Sequence, residues 1–147
     1  MRQISLTIVI LVAYSAFCAN CESGPYTGKT YTLDGSVTDA IICQSDYNKE
    51  VHVDNCIFNA ESSSTTYLTS YIHITESRQV TIQNSKFKAV KLSGRAALVL
   101  GRFVNVSIIE NTNFTDIINT DGNGSALNLE IHPEFGKHTL DHVIFQS

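Results

Sequence analysis

Apolar and polar residues alternate over short stretches along most of this 147-residue chain. The clearest stretches are Tyr31/Leu33, Ile72/Ile74, Val80/Ile82, Leu98/Leu100, Val106/Ile108 and Leu127/Leu129/Ile131. Because neighbouring side chains of a β-strand point to opposite faces, this spacing, with its many β-branched residues, predicts half-buried strands. Turn-forming residues separate the strands, at Asp34-Gly35, Ser62-Ser-Ser64, Ser93-Gly94 and Asp121-Gly-Asn-Gly124. The pattern predicts an all-β fold.

One short phrase recurs four times along the chain, and in each copy it ends on a phenylalanine. The copies are Val51-His-Val53-Asp-Asn55-Cys-Ile-Phe58, Val80-Thr-Ile82-Gln-Asn84-Ser-Lys-Phe87, a third around Val106-Ser-Ile108 that ends Asn111-Thr-Asn-Phe114, and Leu140-Asp-His142-Val-Ile-Phe145. The phenylalanines advance along the sequence in steps of 29, 27 and 31 (87−58, 114−87, 145−114). A period of this size indicates stacked coils, since one such coil cannot bury its apolar face alone.

Stacking the coils at the strand spacing of about 4.8 Å would place each phrase directly over the previous one. The predicted core ladder consists of an aromatic stack of Phe58, Phe87, Phe114 and Phe145 and of an amide ladder of Asn55, Asn84 and Asn111. Val51, Val80 and their successors form an aliphatic ladder beside the rings. We expect the asparagines to lie at a bend, where stacked side-chain amides hydrogen-bond from coil to coil. His142 replaces the asparagine in the last coil.

The phrase apolar-x-apolar-x-Asn-x-x-Phe resembles the right-handed parallel β-helix repeat of pectate-lyase-like proteins and of polymorphic outer-membrane-type surface proteins. Residues 55–59 and 124–127 are similar to the Phe-x-x-Asn and Gly-Gly-Ala-Ile motifs of the surface proteins. The resemblance covers residues 40–147 and implies a right-handed parallel β-helix, a solenoid of about four coils. A leucine-rich repeat and a β-sandwich are the alternatives, although leucine is sparse and a sandwich needs no such repeat.

The N-terminal segment, residues 1–21, differs from the rest of the chain. Arg2 precedes an apolar run from Ile4 to Phe17, and small residues follow, which is the pattern of a secretory signal peptide. The run is shorter than the ~20 residues of a membrane span; an uncleaved signal anchor and a buried helix are the alternatives. We predict a signal peptide over 1–21, a β-helix domain over 22–147, no membrane span after cleavage, and a secreted or cell-surface location.

The last phrase is not followed by a recognisable cap, although a solenoid requires capped ends. We therefore expect either a domain that is incomplete at its C-terminus, with the chain a fragment, or an end that pairs with another chain; the fragment is favoured.

The net charge of −4 and the scattered basic residues argue against a nucleic-acid partner.

Two kinds of covalent modification follow from secretion. Cys43 and Cys56 remain after cleavage and form a possible disulfide in an oxidising compartment, although connectivity cannot be read from sequence. If cleavage follows Cys18, Cys21 remains as well, and one of the three cysteines is then free or pairs between chains. Sequons begin at Asn105, Asn113 and Asn123, which are possible glycosylation sites if the source is eukaryotic. Asn113 directly precedes a core phenylalanine, so it is expected to face outward.

Residues 119–130 match the ligand spacing of an EF-hand calcium loop. Asn119, Asp121 and Asn123 take positions 1, 3 and 5, a glycine takes position 6, and Glu130 takes position 12. Position 1 lacks a carboxylate and residues 126–131 have the pattern of a strand, so the alternative is a Gly-rich turn between two coils. We expect the protein to need no cofactor. Calcium, bound at this loop, is the one candidate ligand of that kind.

The string Asn119-Thr-Asp121-Gly122 also resembles the Asn-Thr-Asp motif of β-helical polygalacturonases, which hydrolyse pectin with clustered aspartates. The further Asp-Asp, Gly-His-Gly and Arg-x-Lys motifs of that family do not occur in this sequence. Inverting hydrolysis needs two positioned carboxylates, and the string supplies one. We therefore assign no catalytic residue.

The expected function is adhesion, or recognition of an extracellular glycan or protein ligand. The flat outer faces of the coils and three outer loops, residues 61–67, 88–96 and 118–125, would supply the contacts. This expectation rests on the fold, which hosts unrelated functions. The alternative is the N-terminal part of a polysaccharide lyase or glycoside hydrolase whose catalytic residues lie beyond Ser147.

Overall fold

The chain folds as a parallel β-solenoid of about four turns, as the repeat predicted. A computed structural model describes residues 24–35, 40–121, 125–132, 134 and 136–147. Within those ranges every regular element is a strand, which confirms the predicted all-β fold class. The predicted signal peptide, residues 1–21, lies outside the described residues.

Thirteen strands form the described coils: β1 (Tyr26–Thr27), β2 (Thr30–Leu33), β3 (Ile42–Ser45), β4 (Glu50–Asp54), β5 (Ile57–Ala60), β6 (Thr66–Tyr67), β7 (Ile72–Gln83), β8 (Lys86–Leu92), β9 (Leu98–Glu110), β10 (Asn113–Asn119), β11 (Leu127–Leu129), β12 (Lys137–Asp141) and β13 (Ile144–Gln146). The first sheet has the order β1-β4-β7-β9-β11, with β3 beside β7 and β12 beside β9. The second sheet has the order β2-β5-β8-β10-β13, with β6 beside β8.

A column of five stacked rings forms the centre of the second sheet's inner face. Ring centroids lie 5.2 Å apart for Tyr31–Phe58, 4.6 Å for Phe58–Phe87, 4.6 Å for Phe87–Phe114 and 5.2 Å for Phe114–Phe145. The same residues are direct partners in the strand register. The predicted aromatic stack is therefore confirmed, and Tyr31 extends it by one coil.

The corner between the two sheets has the same backbone conformation in every coil. The corner residues Gly28, Asn55, Asn84, Asn111 and His142 have φ values of 65°, 52°, 52°, 47° and 50°. Side chains other than Gly, Asn, Asp and His are disfavoured in this left-handed region because Cβ approaches the following carbonyl. Each ring lies three residues beyond its corner residue, so the corner fixes which side chain enters the stack.

Two backbone hydrogen bonds join successive coils at each corner. The corner N–H donates to the next coil, as in Asn55 N to Gln83 O at 3.1 Å, and the N–H two residues later donates back, as in Ile57 N to Lys29 O at 2.9 Å. The asparagine side chains themselves are exposed, and Asn84 Nδ2 donates to Asp54 Oδ1. The predicted bend is confirmed, but the predicted ladder of amides hydrogen-bonded from coil to coil is wrong, because the amide of Asn84 donates to the carboxylate of Asp54 in the preceding coil and not to an asparagine.

The aliphatic ladder of the first sheet has a different register from the one predicted for the third phrase. Val80 pairs with Ser107 and not with Val106, and Ile82 pairs with Ile109. Val80, Ile82, Ser107 and Ile109 are fully buried. Counting back two and four residues from each corner asparagine gives these inward positions, so the corner, and not the apolar pattern, sets the register.

The predicted pairing of Cys43 with Cys56 is wrong. Cys56 is a free, buried cysteine that faces the interior directly after a corner, where its Sγ lies 3.2 Å from the carbonyl oxygen of Tyr26. Cys43 is disulfide-bonded, and its partner lies outside the described residues. The two cannot meet because Cys43 follows the inward-facing Ile42 on a strand and therefore points to the outer face.

Replacing Phe87 with alanine should lower the free energy of unfolding by about 3–5 kcal/mol, because it removes a fully buried ring from the middle of the stack. The matched control is Phe145→Ala, since Phe145 is 53% exposed and contacts a ring on one side. Urea denaturation followed by circular dichroism measures both variants. Equal losses for the two variants would contradict a continuous internal stack.

Asn55→Val should lower the free energy of unfolding by about 1–2 kcal/mol, because a β-branched residue is forced into the left-handed region. Asn55→Gly should change it by less than ~0.5 kcal/mol, since glycine adopts this conformation freely and already occupies the corner at position 28. The same denaturation experiment compares them. A glycine variant as unstable as the valine variant would show that the asparagine side chain matters more than its backbone.

Candidate functional site

A column of polar side chains lines the outer face of the first sheet along the solenoid axis. It consists of Asp54, Gln83, Glu110 and Asp141, which are register partners in successive coils. Each of these residues directly precedes a corner residue and follows an inward-facing aliphatic residue. Strand alternation therefore points all four outward. We call this set the polar column.

The side chains of the polar column contact one another and the corner residues. Gln83 Nε2 donates to Glu110 Oε2 at 2.8 Å, and Asp54 Oδ1 accepts from Asn84 Nδ2 at 2.8 Å. At the last coil, His142 Nδ1 lies 2.8 Å from Asp141 Oδ1. The amide of Gln83 separates the carboxylates of Asp54 and Glu110, whereas Glu110 and Asp141 lie in adjacent coils. The column presents hydrogen-bond acceptors and donors at intervals of about 4.8 Å.

A second group of polar residues lies on the outer face of the same sheet. His73 lies between the buried residues Ile72 and Ile74, so its ring points outward, where Arg95 Nη1 is 3.2 Å from its Nδ1. Burial lowers the pKa of His73, the positive charge of Arg95 lowers it further, and Glu130 opposes both. The neutral imidazole can therefore accept a hydrogen bond from the guanidinium. Sequence analysis missed this group because its members are distant in sequence.

A group of lysines lies on one strand of the second sheet. Lys86 and Lys88 are exposed on β8, and Lys91 is half-buried farther along the same strand. Exposed apolar residues lie near these lysines, since Ile118 pairs in register with Lys91 and is 56% exposed. Both signs of charge occur on both sheets, however, since Asp116 is exposed on β10 of the second sheet and Arg102 is exposed on β9 of the first.

The three predicted outer loops are shorter than expected, because residues 66–67 form β6, residues 88–92 belong to β8 and residues 118–119 belong to β10. In the first loop, the hydroxyl of the buried Tyr67 accepts a hydrogen bond from the backbone N–H of Ser62 at 3.1 Å. Between the second and third loops, Ser93 Oγ donates to Asp121 Oδ2 at 2.7 Å. Residues 122–124 of the third loop lie outside the described residues. The described loop segments are therefore attached to the scaffold at defined points.

The candidate calcium residues occupy different surroundings. Asn119 Oδ1 accepts from Asp121 N at 3.3 Å, and the carboxylate of Asp121 is engaged by Ser93. Glu130 lies beyond β11 and acts electrostatically on His73. Asn123 lies outside the described residues. Within the described ranges, no group of three or more His, Cys, Asp or Glu side chains is placed to hold a metal ion. Calcium binding stays a prediction.

Two of the three sequons fall in described strands. Asn113 is half-buried beside the buried Phe114 and faces outward, with Lys86 and Ile144 as its register partners. Asn105 is half-buried on β9, but the hydroxyl residue of its sequon, Ser107, is fully buried. Asn123 lies outside the described ranges. Glycosylation at these sites stays a prediction.

Sequence analysis also missed a polar pair that joins the last coil to the one before it. Ser107 Oγ lies 2.7 Å from His138 Nδ1, because His138 takes the ladder position of Val51 and Val80. The imidazole fills an interior position that is aliphatic in the earlier coils. Because Ser107 is fully buried, this serine–histidine contact is a core hydrogen bond and not an accessible nucleophile.

Comparison of this chain with protein-family models, with curated proteins and with solved structures found no match. Among the described residues, no helix is long and apolar enough to cross a bilayer. The parallel, stacked strands define the class of the protein as a parallel β-solenoid.

His73 should make the protein less stable as the pH falls below about 6.5. The pKa of His73 is lower in the folded protein than its value of 6.5 in the unfolded chain, so the unfolded chain binds the proton more readily. The stability that the neutral imidazole contributes is therefore present above pH 6.5 and is lost as the pH falls through the folded-state pKa. Urea denaturation at a series of pH values measures this slope, and His73→Gln should reduce it. The exposed His52→Gln serves as the matched control; an equal effect of both substitutions would contradict the assignment.

Proposed function

We propose that the protein is a secreted or cell-surface β-helix that recognises an extracellular ligand, and that the ligand is an extended glycan bound along the polar column. The observation that carries the proposal is the register of Asp54, Gln83, Glu110 and Asp141 in successive coils. A glycan chain offers hydroxyl groups at regular intervals, and a ladder of carboxylates and amides can hydrogen-bond to several of them in succession.

The charge of the column limits the kind of glycan. Three of its four members are carboxylates and the chain carries a net charge of −4, so an acidic polymer such as pectin would be repelled along this face. A neutral glycan or one with amino groups is the better ligand. An extracellular protein with a basic strip is the other outcome of the binding experiment.

The extracellular location rests on two supporting observations. Residues 1–21 have the pattern of a signal peptide. Cys43 is disulfide-bonded, and structural disulfides persist in oxidising compartments. The proposal extends to the finer fold assignment, a right-handed β-helix related to pectate-lyase-like or polymorphic outer-membrane-type repeats, for which the recurrent phrase is the support.

A second candidate function is a polysaccharide lyase or glycoside hydrolase. The observation that favours it is the neighbouring position of Glu110 and Asp141 in adjacent coils, since glycoside hydrolysis uses two carboxylates on either side of one bond. Release of reducing ends or of unsaturated products from a polysaccharide panel would favour this function. Loss of that release in Glu110→Gln would assign it to the column.

The binding proposal predicts that the purified chain binds neutral or amino-group-bearing glycans on a glycan array. Glu110→Gln and Asp141→Asn should each weaken binding by about tenfold or more, because each removes a charge-assisted hydrogen bond at the surface. Titration calorimetry with the best array ligand measures the change. Lys86→Gln, on the other sheet, is the matched control and should bind normally. Unchanged binding in both column variants, or binding to protein ligands alone, would contradict the proposal.

A further inference from the structure

Three lysines share the outer face of β8, in the middle of the described solenoid. Lys86, Lys88 and Lys91 lie within the seven residues of this strand, and they are three of the chain's ten lysine and arginine residues. β8 has β5 and β6 on one side and β10 on the other, so the strands that flank the lysines are described on both sides. We call these three residues the lysine row.

An interruption in the alternation of β8 brings the third lysine to the outer face. Lys88 and Ala89 are both exposed, and the next residue, Val90, is buried. Ala89 has a φ of 33°, which is the left-handed region, and the alternation shifts by one residue at this point. With strict alternation from Lys88, position 91 would face the core. The left-handed residue therefore adds Lys91 to the cations of the outer face.

The lysine row has no acidic partner. Within the described ranges, none of its three ammonium groups forms an ion pair. The register partners of the row are all uncharged: Ile57 and Asn113 for Lys86, Thr115 for Lys88, and Thr66 and Ile118 for Lys91. Two lysines that are two positions apart on a strand are separated by about 7 Å and repel each other. An anionic ligand would remove this repulsion.

A purely structural role does not explain the lysine row. Lysine is depleted in strands, because its long charged side chain contributes little to packing on a pleated surface. On an edge strand, lysines keep the sheet from pairing with other chains. β8 is an interior strand and has no free edge to protect. The row is therefore better explained by a ligand than by the fold.

The chemistry of the lysine row indicates which anion it fits. The row has no arginine, and the planar guanidinium is the group that matches a planar carboxylate with two parallel hydrogen bonds. An ammonium group is a compact charge with three N–H donors, which suits the tetrahedral oxygens of a sulfate ester. Thr66 and Thr115 place hydroxyl groups beside the cations, and these can hydrogen-bond to sugar hydroxyls.

We propose that the lysine row is a second binding surface, which takes a sulfated glycan extended along β8. The three ammonium groups contact successive sulfate groups of the polymer. The polar column lies on the other sheet and is acidic, so the two surfaces select glycans of different charge. Asp116 is exposed on β10, between the register partners of Lys88 and Val90, and its carboxylate opposes the binding of an anion.

The test is titration of the full chain with heparin, a highly sulfated glycan, and with chemically desulfated heparin, which keeps its carboxylates. Protein from the bacterial periplasm is used, since that compartment forms disulfides and adds no N-glycan to Asn113, the neighbour of Lys86. Heparin binding should weaken steeply with salt, because bound lysines release counterions from the polymer. Desulfated heparin should bind at least about tenfold more weakly, because the charge-assisted hydrogen bonds are lost.

Substitutions assign the binding to the lysine row. Lys86→Gln, Lys88→Gln and Lys91→Gln should each weaken heparin binding by about two- to fivefold, as expected for exposed ion pairs. The triple variant should weaken it by at least about tenfold and reduce its salt dependence. Lys49→Gln, exposed directly before β4, removes the same charge elsewhere and should bind normally. Asp116→Asn should tighten binding, and asparagine tolerates the φ of 54° at this position.

Five outcomes would overturn the proposal. These are no heparin binding, equal binding of desulfated heparin, equal binding of the unsulfated acidic polymer polygalacturonate, equal losses in Lys49→Gln and Lys88→Gln, and binding of phosphatidylserine-containing vesicles through the row in place of heparin. Circular dichroism of each variant verifies that the fold is intact. Glu110→Gln, in the polar column, should leave heparin binding unchanged, so failure of this proposal is distinguishable from failure of the one for the column.

Discussion

The corner between the two sheets is the constraint on which the rest of the molecule depends. One residue with positive φ directs the chain from one sheet to the other, and two backbone hydrogen bonds tie each corner to its neighbours. The same corner places a ring three residues later over the ring of the previous coil and a polar side chain one residue earlier on the outer face. Core packing and surface chemistry therefore share one register, because both are counted from the same residue.

Much of the fold was predictable because the repeat encodes it directly. The spacing of Phe58, Phe87 and Phe114 predicts a stack, and the rings lie 4.6 Å apart. The predicted register was wrong for the third phrase, because the inward residues were chosen from the alternation of apolar residues alone. Val106 and Ile108 form an apolar pair in the sequence, yet the fully buried Ser107 is the inward residue. Gly28 and Tyr31 were missed because glycine and tyrosine do not match Asn and Phe, although their spacing is the same.

The outer surface was harder to predict than the core. A core position accepts few side chains, so its pattern is visible, whereas outward positions accept most polar residues and show no period that identifies a site. The polar column emerges once register is known, since Asp54 and Glu110 are two coils apart and nothing in the sequence associates them. The predicted Cys43–Cys56 disulfide was wrong for the same reason. The spacing of two cysteines in the sequence does not reveal whether each thiol faces the interior or the outer surface of the solenoid.

The constant distance of three residues from corner to ring contrasts with the unequal spacing of the phenylalanines, whose steps range from 27 (114−87) to 31 (145−114). All the length variation is thus absorbed between one ring and the next corner, and much of it lies in the outer loops. Lengthening a flexible loop is inexpensive, at about 0.6 kcal/mol for each doubling. This architecture is accordingly a scaffold on which new segments can be grafted, and its specificity can evolve by insertion while the interior stays unaltered.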